Sequence, residues 1–207
     1  MFRIAFVPGV TITKWTRAWE ERRRDPLQLL PTLPSDQVAV VHRGEADVAF
    51  VRLPIDRDGL SVIRLYTESP VVIAPKDHAF EAADELTVSD LDGENVIEVG
   101  EDPKDAVELV AANVGVAVLP QSVARLHARK DVIARPLTDA PGTDIAIVWL
   151  ADAETPDIEE FVGIVRGRTV RSSRGPGVAL PAPQKTKSAN ASKRPSPKHP
   201  SRRRRSR

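Results

Sequence analysis

The stretch "DVAFVRLP" (47–54) places a single cation, Arg52, at the end of an apolar run and closes it with Leu53 and Pro54. A guanidinium presents a planar fork of N–H donors that matches a carboxylate. At this position Arg52 can serve as a surface charge, as an ion-pair partner within the fold, or as the grip on an anionic ligand. Three other segments put polar groups where an apolar run meets a helix start, and there backbone N–H groups point outward and favour an anion. Pro8-Gly9-Val10-Thr11 offers a hydroxyl that serves as a helix cap, as a ligand contact, or as both. Val99-Gly100-Glu101-Asp102 precedes a second helix, although its two acids oppose an anion and Asp102 also suits a cap. Leu119-Pro120-Gln121-Ser122 precedes a third, where Gln121 or Ser122 completes a polar contact.

Catalytic constellations are missing from the sequence. The four histidines, His42, His78, His127 and His199, are scattered without HExxH or paired spacing, and there is no cysteine. That leaves no thiol nucleophile and no zinc-type ligand pattern. No GxSxG elbow, P-loop or GxGxxG fingerprint occurs. The glycines and cations of "VRGRTVRSSRG" (165–175) follow a helix instead of opening one. A non-catalytic protein without metal or cofactor is expected.

The elements that must position these residues follow from periodicity. "FRIAFV" (2–7), "LQLLP" (27–31) and "DVAFV" (47–51) read as strands. Between them lie helices with Ile12, Trp15 and Trp19 on one stripe under a Thr11 cap, and with Val38 and Val41 inward between Ser35 and Gly44. Two such alternations in 50 residues argue for an α/β protein with a mostly parallel sheet. Further strands are expected at 60–68, 70–75, 95–99, 114–120, 131–137 and 144–150. A helix capped by Asp102 with Pro103 at its first position buries Val107, Val110, Ala111 and Val114. Another starts at Pro120 with Val123 and Leu126 inward, and the last runs from 156 to about 168 on Ile158, Phe161, Val162 and Val165.

Charge divides the chain. Residues 176–207 hold ten of the 30 Lys and Arg and none of the 29 Asp and Glu, so residues 1–175 carry −9 and the end carries +10. Every Phe, Trp and Tyr lies before residue 162. A Pro/Ser-rich segment with no apolar residues to bury cannot offset its ordering entropy, so a disordered tail is expected over 169–207. Its Lys193, Arg194, Lys198, Arg202, Arg203, Arg204, Arg205 and Arg207 form a sequence-blind attractor for phosphate backbones, and contact with the acidic body is the alternative. No apolar run approaches the ~18 residues of a membrane span, and the N-terminal run broken by Pro8-Gly9 lacks a signal-peptide cleavage site. No membrane association and a cytoplasmic location are expected.

The segments "RIAFVPG", "GEADVAFVRLP", "LYTESPVVIAPKDHAF", "LTVSDLDG", "AVELVAANVGVAVLPQSVARL" and "DIAIVWL", in that order, resemble the effector-binding domain of LysR-type transcriptional regulators across residues 2–168. The resemblance implies a two-lobed type 2 periplasmic-binding-protein-like fold. Lobe one would comprise 1–69 and 140–168, and 70–139 would supply the crossover strands and a second lobe. It implies a small organic effector, carboxylate-bearing in one version, in the cleft between the lobes. The expected ligand contacts are Pro8, Gly9, Val10, Thr11, Arg52, Leu53, Pro54, Gly100, Leu119, Pro120 and Gln121. A homodimer, paired through a strand and a helix of opposite lobes, is implied as well. Two departures stand out: residue 1 already lies at the first strand, without the family's winged helix-turn-helix, and a strand and helix are missing between "NVIEVG" and "DAVELVAANVG". A reduced second lobe is therefore expected. The rival reading is a protein-interaction or nonspecific nucleic-acid-associated protein acting through its basic tail.

Overall fold

Five strands form one sheet in the order β2-β1-β3-β8-β4. They are β1 (Phe2–Phe6), β2 (Leu27–Pro31), β3 (Val48–Arg52), β4 (Leu60–Glu68) and β8 (Thr143–Leu150). This computed structural model describes residues 1–23 and 25–167. The basic tail and its eight named cations therefore lie outside the described residues. Residues up to 167 belong to one compact unit.

Side-chain size alternates across the first sheet and sorts the helices onto its two faces. Ile4, Phe50, Ile145 and Ile147 point to one side and meet Trp15 and Trp19 of α1 (Thr13–Arg22) and Phe161 of α5 (Pro156–Val165). The aromatics interlock there, with Phe2 stacked on Trp19 at 4.8 Å and Trp15 on Phe50 at 4.9 Å between ring centroids. Each such fully buried large side chain contributes about 1.5–3 kcal/mol. The opposite face presents the small residues Ala5, Ala49 and Ala146, which admit the short α2 (Ala39–His42) through Val40 and Val41.

The second sheet has the order β6-β5-β7, with β5 (Pro70–Pro75) central between β6 (Ala117–Pro120) and β7 (Val132–Pro136). Val71, Ile73 and Leu119 on one face pack against α3 (Pro103–Ala111) and α4 (Gln121–Leu126), and Val72 and Ala74 on the other meet Phe80, Leu86 and Leu137. Only Ser69 separates β4 from β5. The chain returns from β7 to β8 past Gly142, whose Cβ, if present, would fall 2.5 Å from Thr67 Cγ2 and 2.8 Å from the Glu68 carbonyl. The two connections cross at a contact that only glycine permits.

Several expectations need correction. The first sheet is mixed: β1 pairs in parallel with β2 and β3, whereas β8 runs antiparallel to β3 and β4, and both pairings in the second sheet are antiparallel. The late strand re-enters from the other sheet, so it meets both neighbours head to tail. Residues 95–99 do not form a strand. They make one parallel bridge, Val96 with Val116, and leave Val96 half exposed at the margin. In the second helical region Val40 and Val41, not Val38, are buried, after a 3-10 turn at Pro34–Asp36 that Ser35 does not cap. α3 ends at Ala111, so Val114 is exposed and Ala106 takes its place inside, and Leu126 is exposed at the end of α4.

Candidate functional site

β3, the central strand of the first sheet, delivers Arg52 at its C-terminal end, where its backbone is held from both sides by Gln37. The Arg52 N–H donates to Gln37 Oε1 at 2.8 Å, and Gln37 Nε2 donates to the Arg52 carbonyl at 3.1 Å. The side chain turns inward and is 15% exposed. Its Nε and Nη2 donate to Glu68 Oε2 at 3.2 and 3.0 Å, Nη1 donates to the Pro8 carbonyl at 2.7 Å, and Nη2 also reaches Ser122 Oγ at 3.1 Å. Arg52 therefore ties the β1–α1 turn, the crossover strand and the start of α4 together. Of the three roles open to it in the sequence, the structure displays the ion pair.

Gly9 makes the same junction possible from the other side. It has φ +85°, a region that favours glycine, and a Cβ there would lie 2.9 Å from Ser122 Oγ and 3.1 Å from the Val123 nitrogen. The turn after β1 thus rests directly on the first residues of α4.

Beside this junction opens a cleft of about 410 Å³ lined by Thr11, Lys14, Tyr66, Thr67, Glu68, Ser69, Gln121, Ser122 and Arg125. Its walls come from α1, from the β4–β5 crossover and from α4. Of the residues expected to touch a ligand, Thr11 and Gln121 line it, together with Ser122. Pro8 and Gly9 stand behind it as supports for Arg52 and Ser122. Leu119 is buried in the core of the second sheet, and Gly100 is exposed with open space around its Cα. Val10, Leu53, Pro54 and Pro120 are not among the lining residues. Thr11 is not the helix cap: Ile12 occupies that position without a side-chain bond, which leaves the Thr11 hydroxyl to the cleft. Asp102 does cap α3, accepting from the Lys104 N–H at 2.9 Å.

Lys14, Tyr66, Glu68, Ser69 and Arg125 went unread in the sequence. Lys14 carried a signal: it is the second residue of α1, a helix with no acid in its first turn. A cation at a helix N-terminus is electrostatically unfavourable for the helix itself. Neither Lys14 nor Arg125 has a carboxylate partner among the described residues; Lys14 Nζ lies 4.3 Å from the Trp15 ring. Glu68 is offset by Arg52, so the cleft keeps two uncompensated positive charges. Burial pushes the Tyr66 phenol above its usual range, and the Glu68 carboxylate adds to the rise.

Two sheets joined by paired crossovers beside a cleft define the class of type 2 periplasmic-binding-protein-like effector domains. The profile of the LysR substrate binding domain matches residues 3–105 and 101–169, and the chain belongs to that family. The two matched pieces overlap at residues 101–105, the stretch where a shortened second lobe is expected from the sequence. The Hca operon transcriptional activator HcaR of Escherichia coli (strain K12) is 23% identical over 198 residues, spanning 80% of this chain and 67% of that protein. The reduced OxyR regulatory domain from Pseudomonas aeruginosa superimposes with a TM-score of 0.64 at 20% identity, covering 80% of this chain and 94% of that one. The BenM effector-binding domain with its effector benzoate gives 0.68 at 18% identity, covering 80% and 90%. The chain is thus a small-molecule effector-binding domain of the LysR type.

Proposed function

We propose that the cleft between the two sheets receives a small organic anion and that its occupancy sets the state of a transcriptional regulator. The observation that carries this is that Lys14, at the uncapped start of α1, and Arg125 line the same cleft, two cations without a carboxylate partner among the described residues, where Glu68 is already neutralised by Arg52. Benzoate, the effector of BenM, is itself a small carboxylate. We read the domain as binding without catalysis or cofactor, and as cytoplasmic, because its relatives are transcriptional regulators; among the described residues no helix is long and apolar enough to cross a membrane. The test is a thermal-shift screen of the full chain against small carboxylates. A ligand at 100 times its Kd should stabilise by about 2.7 kcal/mol. Lys14→Ala and Arg125→Ala should each reduce that gain while the ligand-free protein stays folded. An undiminished shift in both variants would remove the anion from the cleft.

Pairing of two copies is part of the same reading. β2 is an edge strand carrying Leu29, half exposed beside the exposed Leu33, and α3 carries an exposed Leu109. A strand and a helix with apolar residues outward fit a reciprocal contact. Sedimentation should show a dimer that Leu29→Glu dissociates.

A further inference from the structure

Glu68 is the most buried polar group on the cleft wall, and half of its hydrogen-bonding capacity is unused. Its side chain is 6% exposed, and both bonds from Arg52 converge on Oε2. Oε1 has no partner among the described residues, yet it is not among the fully enclosed unpartnered atoms, which are Trp19 Nε1, His127 Nε2 and Trp149 Nε1. Since Glu68 lines the cleft, Oε1 meets the cleft space. A carboxylate oxygen accepts and cannot donate. In the open cleft water can donate to this oxygen, but a ligand that displaces the water without bringing a donor strands a desolvated acceptor at a cost, so the site selects for a ligand that brings one.

Arg52 gives this oxygen a fixed direction. By gripping Oε2 twice it pins the carboxylate plane and denies it the rotation with which a free glutamate would evade a poor ligand. The same guanidinium donates to Ser122 Oγ, so the Ser122 hydroxyl keeps its own hydrogen for another acceptor. The cleft therefore presents donors at Lys14, Arg125 and Ser122, and one oriented charged acceptor at Glu68.

We propose that the effector is an anion that also carries a hydrogen-bond donor, a hydroxy- or amino-substituted carboxylate, with the donor accepted by Glu68 Oε1 and the carboxylate held by Lys14 and Arg125. Glu68 is then the specificity-determining residue and Arg52 a positioning residue acting through it. This rests on the anion-binding reading above. A plain carboxylate would fill the cationic side and leave the Glu68 oxygen facing an apolar group. A site built around a hydrogen bond to a substrate discriminates strongly against the analogue lacking it, because its own group is stranded.

The test is titration calorimetry of the full chain with matched sets: propanoate, lactate and alanine; succinate, malate and aspartate; benzoate, 3-hydroxybenzoate and 3-aminobenzoate. In at least one set a donor-bearing member should bind about tenfold or more tighter than its parent, a difference of about 1.4 kcal/mol. Glu68→Gln keeps an oxygen for Arg52 and turns an NH₂ to the cleft, so the advantage should shrink to about twofold or reverse. Equal affinities within every set in the wild type would overturn the donor requirement and leave anion binding standing. An advantage that persists in Glu68→Gln would show that Glu68 is not the acceptor. Absence of binding by every member would overturn the anion reading and this inference with it. Should Glu68→Gln fail to fold, the wild-type sets alone decide the donor requirement.

Discussion

Arg52 and Glu68 form a nearly enclosed ion pair in which Nε, at 3.2 Å, and Nη2, at 3.0 Å, both donate to one carboxylate oxygen. The pair sits where the first sheet, the crossover strand and α4 converge, and it backs the cleft without filling it. Removing one member leaves the other charge stranded in a place with little water. Arg52→Ala should therefore destabilise the fold by about 3–5 kcal/mol, as for other broken buried pairs. The double replacement Arg52→Met with Glu68→Leu should cost far less, because no charge is left behind. Urea unfolding of the three proteins checks this. A loss under about 1 kcal/mol for Arg52→Ala would show the pair to be solvated like a surface bridge.

Gly9 provides an independent probe of the same junction. Alanine there meets a φ of +85° and, in addition, the backbone of Ser122 and Val123 at 3.1 Å, atoms that cannot rotate away. Gly44, at φ +67° with nothing within 4 Å of its missing Cβ, is the control. Both substitutions carry the left-handed penalty of roughly 1–2 kcal/mol. Gly9→Ala should exceed Gly44→Ala by a clear margin in thermal unfolding, and it should also alter effector affinity, since Ser122 lines the cleft. Equal losses at the two positions would mean that the turn after β1 does not bear on α4.

Local signals in the sequence carried most of the elements. β4 starts after Gly59 and is divided from β5 by Ser69, and α3 starts where Asp102 caps it and Pro103 takes its first position. Periodicity misjudged the margins. Residues 95–99 have the composition of a strand but only Val116 to pair with, and Thr11 looks like a cap but stands one residue before the residue that occupies that position. The cleft was harder to read because it is assembled from distant pieces: Arg52 meets Glu68 across 16 residues and Ser122 across 70. No local pattern announces that Glu68, the last residue of the expected strand β4, lines one cleft with Lys14 and Arg125. Arg52 was legible as a cation with a task, and its partner decides which one.

Acid should loosen the fold from its surface. Asp36 and Glu45 are both held below the usual carboxylate range by hydrogen bonds from Arg43, and Asp131 by the Arg129 guanidinium. Asp90 is lowered by the backbone N–H of Thr87 and by its hydroxyl. Groups with depressed folded-state pKa values stabilise fully above their unfolded values, near 4, and that contribution is lost as pH falls through the lower folded values. Stability should be flat from neutral pH down to about 5 and should decline below about 4. Arg43→Gln should flatten part of the decline by removing the cause of two shifts. An unchanged acid profile in Arg43→Gln would show that Asp36 and Glu45 gain nothing from their partner in solution.

The basic end of the chain makes a prediction from charge alone. Residues 176–207 bring ten cations and no acid, and the −9 of the preceding residues opposes their approach to a polyanion. Lys193, Arg194, Lys198 and Arg207 flank the run Arg202, Arg203, Arg204 and Arg205, which concentrates four charges in four residues. Lysines and arginines that neutralise phosphates release condensed counterions, so affinity for duplex DNA should fall linearly on a logarithmic salt scale, with a slope of about −0.9 per phosphate contacted. Such contacts position a protein without reading bases. We therefore expect weak, sequence-indifferent binding at low salt that vanishes near physiological salt. Replacing Arg202 to Arg205 with glutamine should reduce the slope by up to about 3.6 and leave effector affinity unchanged, because the cleft residues are untouched. A mobility-shift titration of both proteins over a range of salt measures it. Equal slopes would show that the arginine run does not meet phosphate, and would favour its engagement with an acidic surface instead.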